Sequence, residues 1–248
     1  MSRAGDWPVI WLNAVDSTNL EAGRRACAQP FVNCWIAAHR QTAGRGRRSR
    51  TWVSLAGNLH ATALYAHDGP LADVRMLPFA AGLAVLDVVD TFTPAPVASL
   101  KWPNDIRIEG QKIAGILIES GAAGKGYWIA VGIGINVAHA PEGTGQAVTC
   151  LSACTGRPDI SVQTVLDLLR ETLGDRLQQL ASGFEGVRSD WLARAEGLGQ
   201  RIRVRQGQDH LEGRFETIGA DGTLILQLPD GSRRTISSGR VELTERKR

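Results

Sequence analysis

Apolar and polar positions along the chain fall into runs of different period. Val9–Val15 and Cys34–His39 are short and apolar, which predicts strands. Between them Ser17–Ala28 is a predicted helix, with Thr18 and Glu21 in the Thr-x-x-Glu order of a capping box. Gln41–Thr51 has no apolar period and carries two glycines and four arginines, so it is a loop. Leu59–Tyr65 is the next predicted strand. Leu71–Phe92 is apolar throughout, which predicts a long buried helix with Pro78 in its first turns.

The following block is rich in strand signals. Ser99–Trp102 runs into the turn Pro103-Asn104-Asp105. Ile106 and Ile108 alternate with charged residues up to a turn at Glu109-Gly110. Lys112–Glu119 and Tyr127–Val137 form a predicted hairpin across a glycine-rich turn. Val162–Leu180 and Phe184–Ala195 are predicted helices. Near Gly197 the pattern shifts to short strands every eight to twelve residues, with hairpin turns at Asp221-Gly222 and Asp230-Gly231. That predicts a small all-β unit, a closed or half-closed barrel.

Composition narrows the class. The chain has 248 residues, 43% of them hydrophobic and 21% charged, as in a globular protein. No apolar run approaches the roughly 20 residues that cross a bilayer, and Phe79–Asp90 is broken by Gly82 and Asp87. The first residues lack the apolar core of a signal peptide. A cytoplasmic location without membrane attachment is expected. Four cysteines are too few for a disulfide scaffold, and buried free thiols are expected rather than a zinc site.

Net charge is +3, and the four arginines of Gly44–Arg50 account for all of it; without them the balance would be −1. A single local cluster is not the basic face of a general nucleic-acid binder. Lysines number only four against 24 arginines, and Lys101 and Lys112 fall within one twelve-residue stretch.

Four segments could carry chemistry. Gly44–Arg50 offers glycines that let a backbone approach a ligand and arginines that grip carboxylate or phosphate; the plain alternative is a solvated basic loop. Trp52 closes it and could stack on a ring. Lys101–Asp105, KWPND, reads as a turn preceded by a lysine and a tryptophan. In Lys112–Glu119, KIAGILIE, the lysine heads an apolar strand, to snorkel or to neutralise an anion, and Gly115 clears space in mid-strand. Val131–Val137, VGIGINV, fails as a dinucleotide fingerprint, and Gly121–Gly126 fails as a phosphate-binding loop. The five histidines form no cluster, and no nucleophilic triad is visible. Direct attack of one substrate on another is therefore expected, rather than a covalent enzyme intermediate.

Taken in order, Asp16-Ser17-Thr18-Asn19, Gln41 with Gly44–Trp52, Lys101–Asp105, Lys112–Glu119 and Gly132–Asn136 resemble the signature of biotin–protein ligases. The resemblance implies an α+β fold: a mixed, mainly antiparallel sheet flanked by helices over residues 1–197, then a small SH3-like β-barrel over 198–248. It implies ATP and Mg²⁺, with biotin as substrate and a biotin carboxyl carrier domain as partner, and a monomer or weak homodimer. Ser17, Thr18, Asn19 and Gln41 would meet biotin, joined by Arg45, Gly46, Arg47, Lys112 and Gly115. Arg47, Arg48, Trp52, Lys101, Asn104, Lys112 and Asn136 would serve ATP. Lys112, Arg47 and Asp105 would carry catalysis, with Asp105 facing the incoming lysine; no metal ligand is singled out. The family's loop carries glycine where this chain has Ser49, and Leu55 replaces a usual proline. Strand signals from Val9 leave no room for an N-terminal winged helix-turn-helix, so no DNA binding is expected.

Two readings compete. A lipoate–protein ligase or octanoyltransferase shares the resemblance's fold and its transfer to lysine. A non-enzymatic RNA-binding module would use GRGRRSR and the small barrel, but 6% aromatic residues leave few stacking platforms.

Overall fold

The computed structural model describes residues 3–28, 31–94 and 96–243. Its centre is a seven-stranded sheet in the order β1-β2-β3-β7-β6-β5-β4. The strands are β1 (Val9–Leu12), β2 (Cys34–Ala38), β3 (Leu59–His67), β4 (Ala98–Lys101), β5 (Asp105–Ile108), β6 (Gln111–Ala123) and β7 (Gly126–Ile135). Only the β1–β2 pair is parallel; the others are antiparallel.

Period-two alternation sorts the side chains of this sheet onto two faces. Trp35, Ala37, Ala63, Ile129, Val131 and Ile133 join the main core with α2 (Leu77–Phe92), α4 (Val162–Ala181) and α5 (Phe184–Ala193). Cys34, Ile36, Leu64 and Ala130 point the other way, onto Ala22 and Ala26 of α1 (Thr18–Cys27). One ten-residue helix cannot cover that whole face, so part of the sheet stays open beside it.

The expected helix from Leu71 begins as an α-helix only at Leu77, after a 3-10 turn over Leu71–Met76; Pro78 lies in its first turn, where a missing N–H costs nothing. The capping box does not form. Ser17, not Thr18, is the N-cap residue, the Thr18 hydroxyl donates to Gln41 instead, and Glu21 turns to Arg24 and Arg25. A five-residue helix, α3 (Leu151–Thr155), has no counterpart in the apolar pattern.

A second, five-stranded antiparallel sheet has the order β11-β10-β9-β8-β12. Its strands are β8 (Arg201–Gln206), β9 (Asp209–Ile218), β10 (Leu224–Gln227), β11 (Arg233–Ile236) and β12 (Arg240–Leu243). Among the described residues no ladder joins β11 to β12, so the expected barrel is not closed by hydrogen bonds. Ile202, Val204, Phe215 and Leu226 belong to the same continuous core as the large sheet. Trp102 Nε1 donates to the Gly222 carbonyl at 3.3 Å, and Arg188 donates to Ile218 O at 2.9 Å. The two sheets are therefore packed together and not merely tethered.

Candidate active site

The uncovered part of the large sheet is the floor of a cleft of about 330 Å³. Three segments form its walls: the start of α1, the arginine loop, and the chain from Pro141 to Val148. Val15 pairs with Gln41 in a single parallel bridge, and the N–H groups of Thr42 and Ala43 donate to Val15 and Asp16 at 2.8 Å each. This brings Ser17–Asn19 beside Gln41. Arg24 grips Asp16 in two hydrogen bonds, which hold that carboxyl down at about 2.

The inner end of the cleft is a polar recess. Gln41 Oε1 accepts from the Thr18 amide at 2.8 Å and from its hydroxyl at 3.2 Å. The Thr62 hydroxyl lies 2.8 Å from Thr18 Oγ1 and 2.7 Å from Asn19 Oδ1. Asn19 Nδ2 donates to Glu119 at 2.9 Å and to Leu117 O at 3.1 Å. Ser17, Thr18, Asn19 and Thr62 are all buried. A Cβ on Gly132 would stand 2.1 Å from Asn19 Oδ1, so only glycine leaves that amide its place.

The outer end is cationic. Lys112 Nζ lies 2.7 Å from Asp105 Oδ1, with both side chains largely shielded from solvent. Arg47 Nη1 donates to Asn104 Oδ1 at 3.1 Å, and Asn104 Nδ2 donates to Ile116 O at 2.8 Å. Burial, and then its neighbour Arg48, push the Arg47 guanidinium below the usual arginine value. Arg45 pairs with Glu119 at 3.1 Å, which ties the loop to the sheet. The loop is an arch, closed by Gly46 N–H to Arg50 O at 2.7 Å and Trp52 N–H to Gly44 O at 2.9 Å.

The Trp52 indole lies across a facing glycine pair. Gly115 of β6 and Gly134 of β7 are register partners, and their hypothetical Cβ atoms would come within 3.2 Å and 2.4 Å of the ring. Lys112 Nζ is 5.5 Å from the ring centroid. Asn136 is buried with its Nδ2 donating to Thr149 O at 2.9 Å, and its Oδ1 has no partner.

Of the residues singled out in the sequence, Ser17, Thr18, Asn19, Gln41, Arg45, Gly46, Arg47, Trp52, Asn104, Lys112, Gly115 and Asn136 line this cleft. Arg48, Lys101 and Asp105 line an adjoining depression of about 250 Å³, which shares Arg47, Arg50, Asn104 and Gln146 with the cleft. Sequence reasoning missed His60, Thr62 and the Pro141–Val148 wall. A signal existed for the first two: they are polar residues two apart in an otherwise apolar strand, hence on one face. The wall carries no apolar period, and it is placed by hydrogen bonds of Lys112 N–H to Ala147 O and Thr149 N–H to Lys112 O. Arg240 of β12 and Gly239 just before it, which line the depression, were also missed.

Residues 15–136 match the biotin/lipoate A/B protein ligase family, and residues 197–244 match the biotin protein ligase C terminal domain. Fold and cleft together thus define a ligase of the biotin/lipoate class. The chain is 39% identical to a biotin–[acetyl-CoA-carboxylase] ligase of Paracoccus denitrificans, over 89% of this chain and 94% of that protein. It is 34% identical to the Mycobacterium tuberculosis ligase of the same name, over 91% and 85% respectively. Among solved structures it resembles the biotin protein ligase of Aquifex aeolicus in complex with biotin and ATP: TM-score 0.80, 28% identity, covering 96% of this chain and 98% of that one. The chain belongs to the biotin–protein ligases, and it is an enzyme.

Proposed function

We propose that the chain joins biotin to ATP, giving biotinyl-5′-adenylate and pyrophosphate, and then transfers the biotinyl group to one lysine of a biotin carboxyl carrier domain. The observation that carries this reading is a cleft with a polar recess at one end and Lys112, Arg47 and Asn104 at the other, where Lys112 reaches Asp105 of the adjoining depression. Ser17, Thr18, Asn19 and Gln41 suit a ring with both donors and acceptors. Arg45, Gly46 and Gly115 border the channel its acyl tail would follow. Trp52 provides a flat wall for adenine, and Arg48, Lys101, Asn104 and Asn136 suit the phosphates.

In the first step a carboxylate oxygen attacks the α-phosphorus as the bond to the β-phosphate oxygen breaks. Both partners are anions, so Lys112 and Arg47 lower the barrier by screening them in a site shielded from water. In the second step the amine of the carrier lysine attacks the acyl carbon and AMP leaves. A free lysine has a pKa of about 10.4, so its proton must be taken up first. Asp105 is the acceptor: once Lys112 turns to the phosphate, the Asp105 oxygen it held is free for the incoming ammonium. Among the described residues no cluster of acidic, histidine or cysteine side chains could hold a metal. The orphaned Asn136 Oδ1 does fit a magnesium ion carried in on the nucleotide, which would supply further charge neutralisation of the phosphates.

Incubating the protein with biotin, ATP and a carrier domain should add one biotinyl mass to one carrier lysine. A lipoyl adduct, or none, overturns the reading. Lys112→Ala should slow biotin-dependent pyrophosphate exchange by at least about tenfold, as expected for one charge-assisted contact.

A further inference from the structure

His60 is 1% exposed on β3, on the cleft side of the sheet, two residues before Thr62. Among the described residues no carboxylate pairs with it, and burial pushes its pKa down to about 4. The ring is therefore neutral at physiological pH, with one donor nitrogen and one acceptor nitrogen. The indole N–H of Trp52, which can only donate, lies 3.3 Å from His60 Nδ1. Nδ1 must then carry the lone pair, and the proton sits on Nε2, 3.4 Å from the Leu55 carbonyl oxygen. One buried imidazole thus ties down both ends of Trp52–Leu55, the segment that follows the arginine loop.

The bond to Trp52 matters because, among the described residues, it is the hydrogen bond that orients the indole. Its floor is two glycines, over which a ring can slide, and Lys112 approaches its face and not its N–H edge. We infer that His60 is a positioning residue, which as the Nε2–H tautomer holds the Trp52 indole by its edge and so fixes the ring wall of the cleft opposite Lys112. The effect on nucleotide rests on the function proposed above; the tautomer and the bond do not. The recess built on Thr18, Asn19 and Thr62 lies outside this linkage, so a failure of His60 should be felt by ATP and not by biotin.

Two variants test this: His60→Leu removes the acceptor while keeping bulk, and His60→Asn can place an amide oxygen where Nδ1 stood. His60→Leu should raise KM for ATP about tenfold, as for a buried donor left unpaired, with KM for biotin changed by under about twofold. His60→Asn should recover most of the loss. In a Trp52→Phe background, which lacks the donor, His60→Leu should change KM for ATP by less than about twofold, the non-additivity of a shared contact. Equal rises in both KM values, or an undiminished effect in Trp52→Phe, would overturn the inference. Should neither His60 variant fold, imidazole ¹⁵N spectra of the wild-type protein decide: a bare Nδ1 whose resonance moves in Trp52→Phe supports it, and a protonated Nδ1 overturns it. These spectra hold even if the wild-type protein releases no pyrophosphate with biotin, a result that would overturn the proposed function alone.

Discussion

Gly132 and His60 show how single positions set the two ends of the cleft. Gly132 leaves room for Asn19, whose amide is held by Thr62, Leu117 O and Glu119. Gly132→Ala puts a methyl into the Asn19 oxygen and forces that side chain to move. The expected result is a fall in biotin affinity of about tenfold or more, the loss of a satisfied buried polar network, with ATP binding little changed; calorimetric titration checks it. His60 has a consequence for stability as well. Its folded pKa of about 4 lies below the ordinary histidine value of 6.5. As pH falls below about 6.5 the unfolded chain takes up a proton that the folded chain refuses, so the folded state loses ground until pH reaches about 4. Above pH 6.5 the contribution is complete, and below 4 the loss grows no further. The full loss is on the order of 3 kcal/mol. His60→Asn should remove this part of the pH dependence, seen as a smaller drop in the urea midpoint between neutral pH and pH 4.5 than in the wild-type protein.

At the scale of elements, the arginine arch is built with a local strain. Arg48 and Ser49 both adopt the left-handed conformation, with φ of 55° and 58°. That region is unfavourable for residues bearing a Cβ by roughly 1–2 kcal/mol, and glycine is free of that cost. Ser49→Gly should favour the arch by up to about 1 kcal/mol once the extra freedom of the unfolded glycine is counted. The variant's arch amides should exchange more slowly with solvent in the absence of ligand; faster exchange would contradict the strain argument. The arch also shows what a sequence can reveal. Its composition marked a loop, and the order of five short motifs marked the family. The strands of the hairpin β6–β7 were legible because their apolar runs are bounded by glycine turns. The capping box misled because Thr18 meets a better partner, Gln41, from a loop 23 residues away. The glycines of VGIGINV were legible as a failed dinucleotide fingerprint and as one motif of the family's order, but not by their structural role. Their role depends on the register that sets Gly134 against Gly115 and on which face of the sheet is left uncovered, and both are tertiary facts. For His60 the spacing from Thr62 showed the shared face, but its partner Trp52 is set by a tertiary contact that no local pattern reveals.

Across the whole molecule, charge is gathered where the two sheets meet. Packing Trp102 against Gly222 brings β12 beside the KWPND turn, so Arg240 shares one depression with Arg47, Arg48, Arg50 and Lys101. Among the described residues Asp105 is the one acidic residue lining it, and it is engaged by Lys112. Burial first, and then Arg107, push the Lys101 ammonium below the usual lysine value, and Arg240 adds a smaller push in the same direction. Like charges held together in this way are stabilised by a polyanion. The depression opens off the cleft at Arg47 and Asn104, beside the centre proposed for attack on the α-phosphorus. It is therefore where the departing pyrophosphate should be received, with the second sheet supplying one of the cations. Arg240→Glu should raise KM for ATP and weaken product inhibition by pyrophosphate, each by about tenfold at low salt, since it replaces an attraction with a repulsion. The difference should shrink as ionic strength rises, because the Arg240 side chain is 51% exposed and open to screening. Transfer from pre-formed biotinyl-adenylate to the carrier has no pyrophosphate to hold and should keep its wild-type rate. If that second step slows while KM for ATP stays put, Arg240 acts on the carrier and not on the nucleotide.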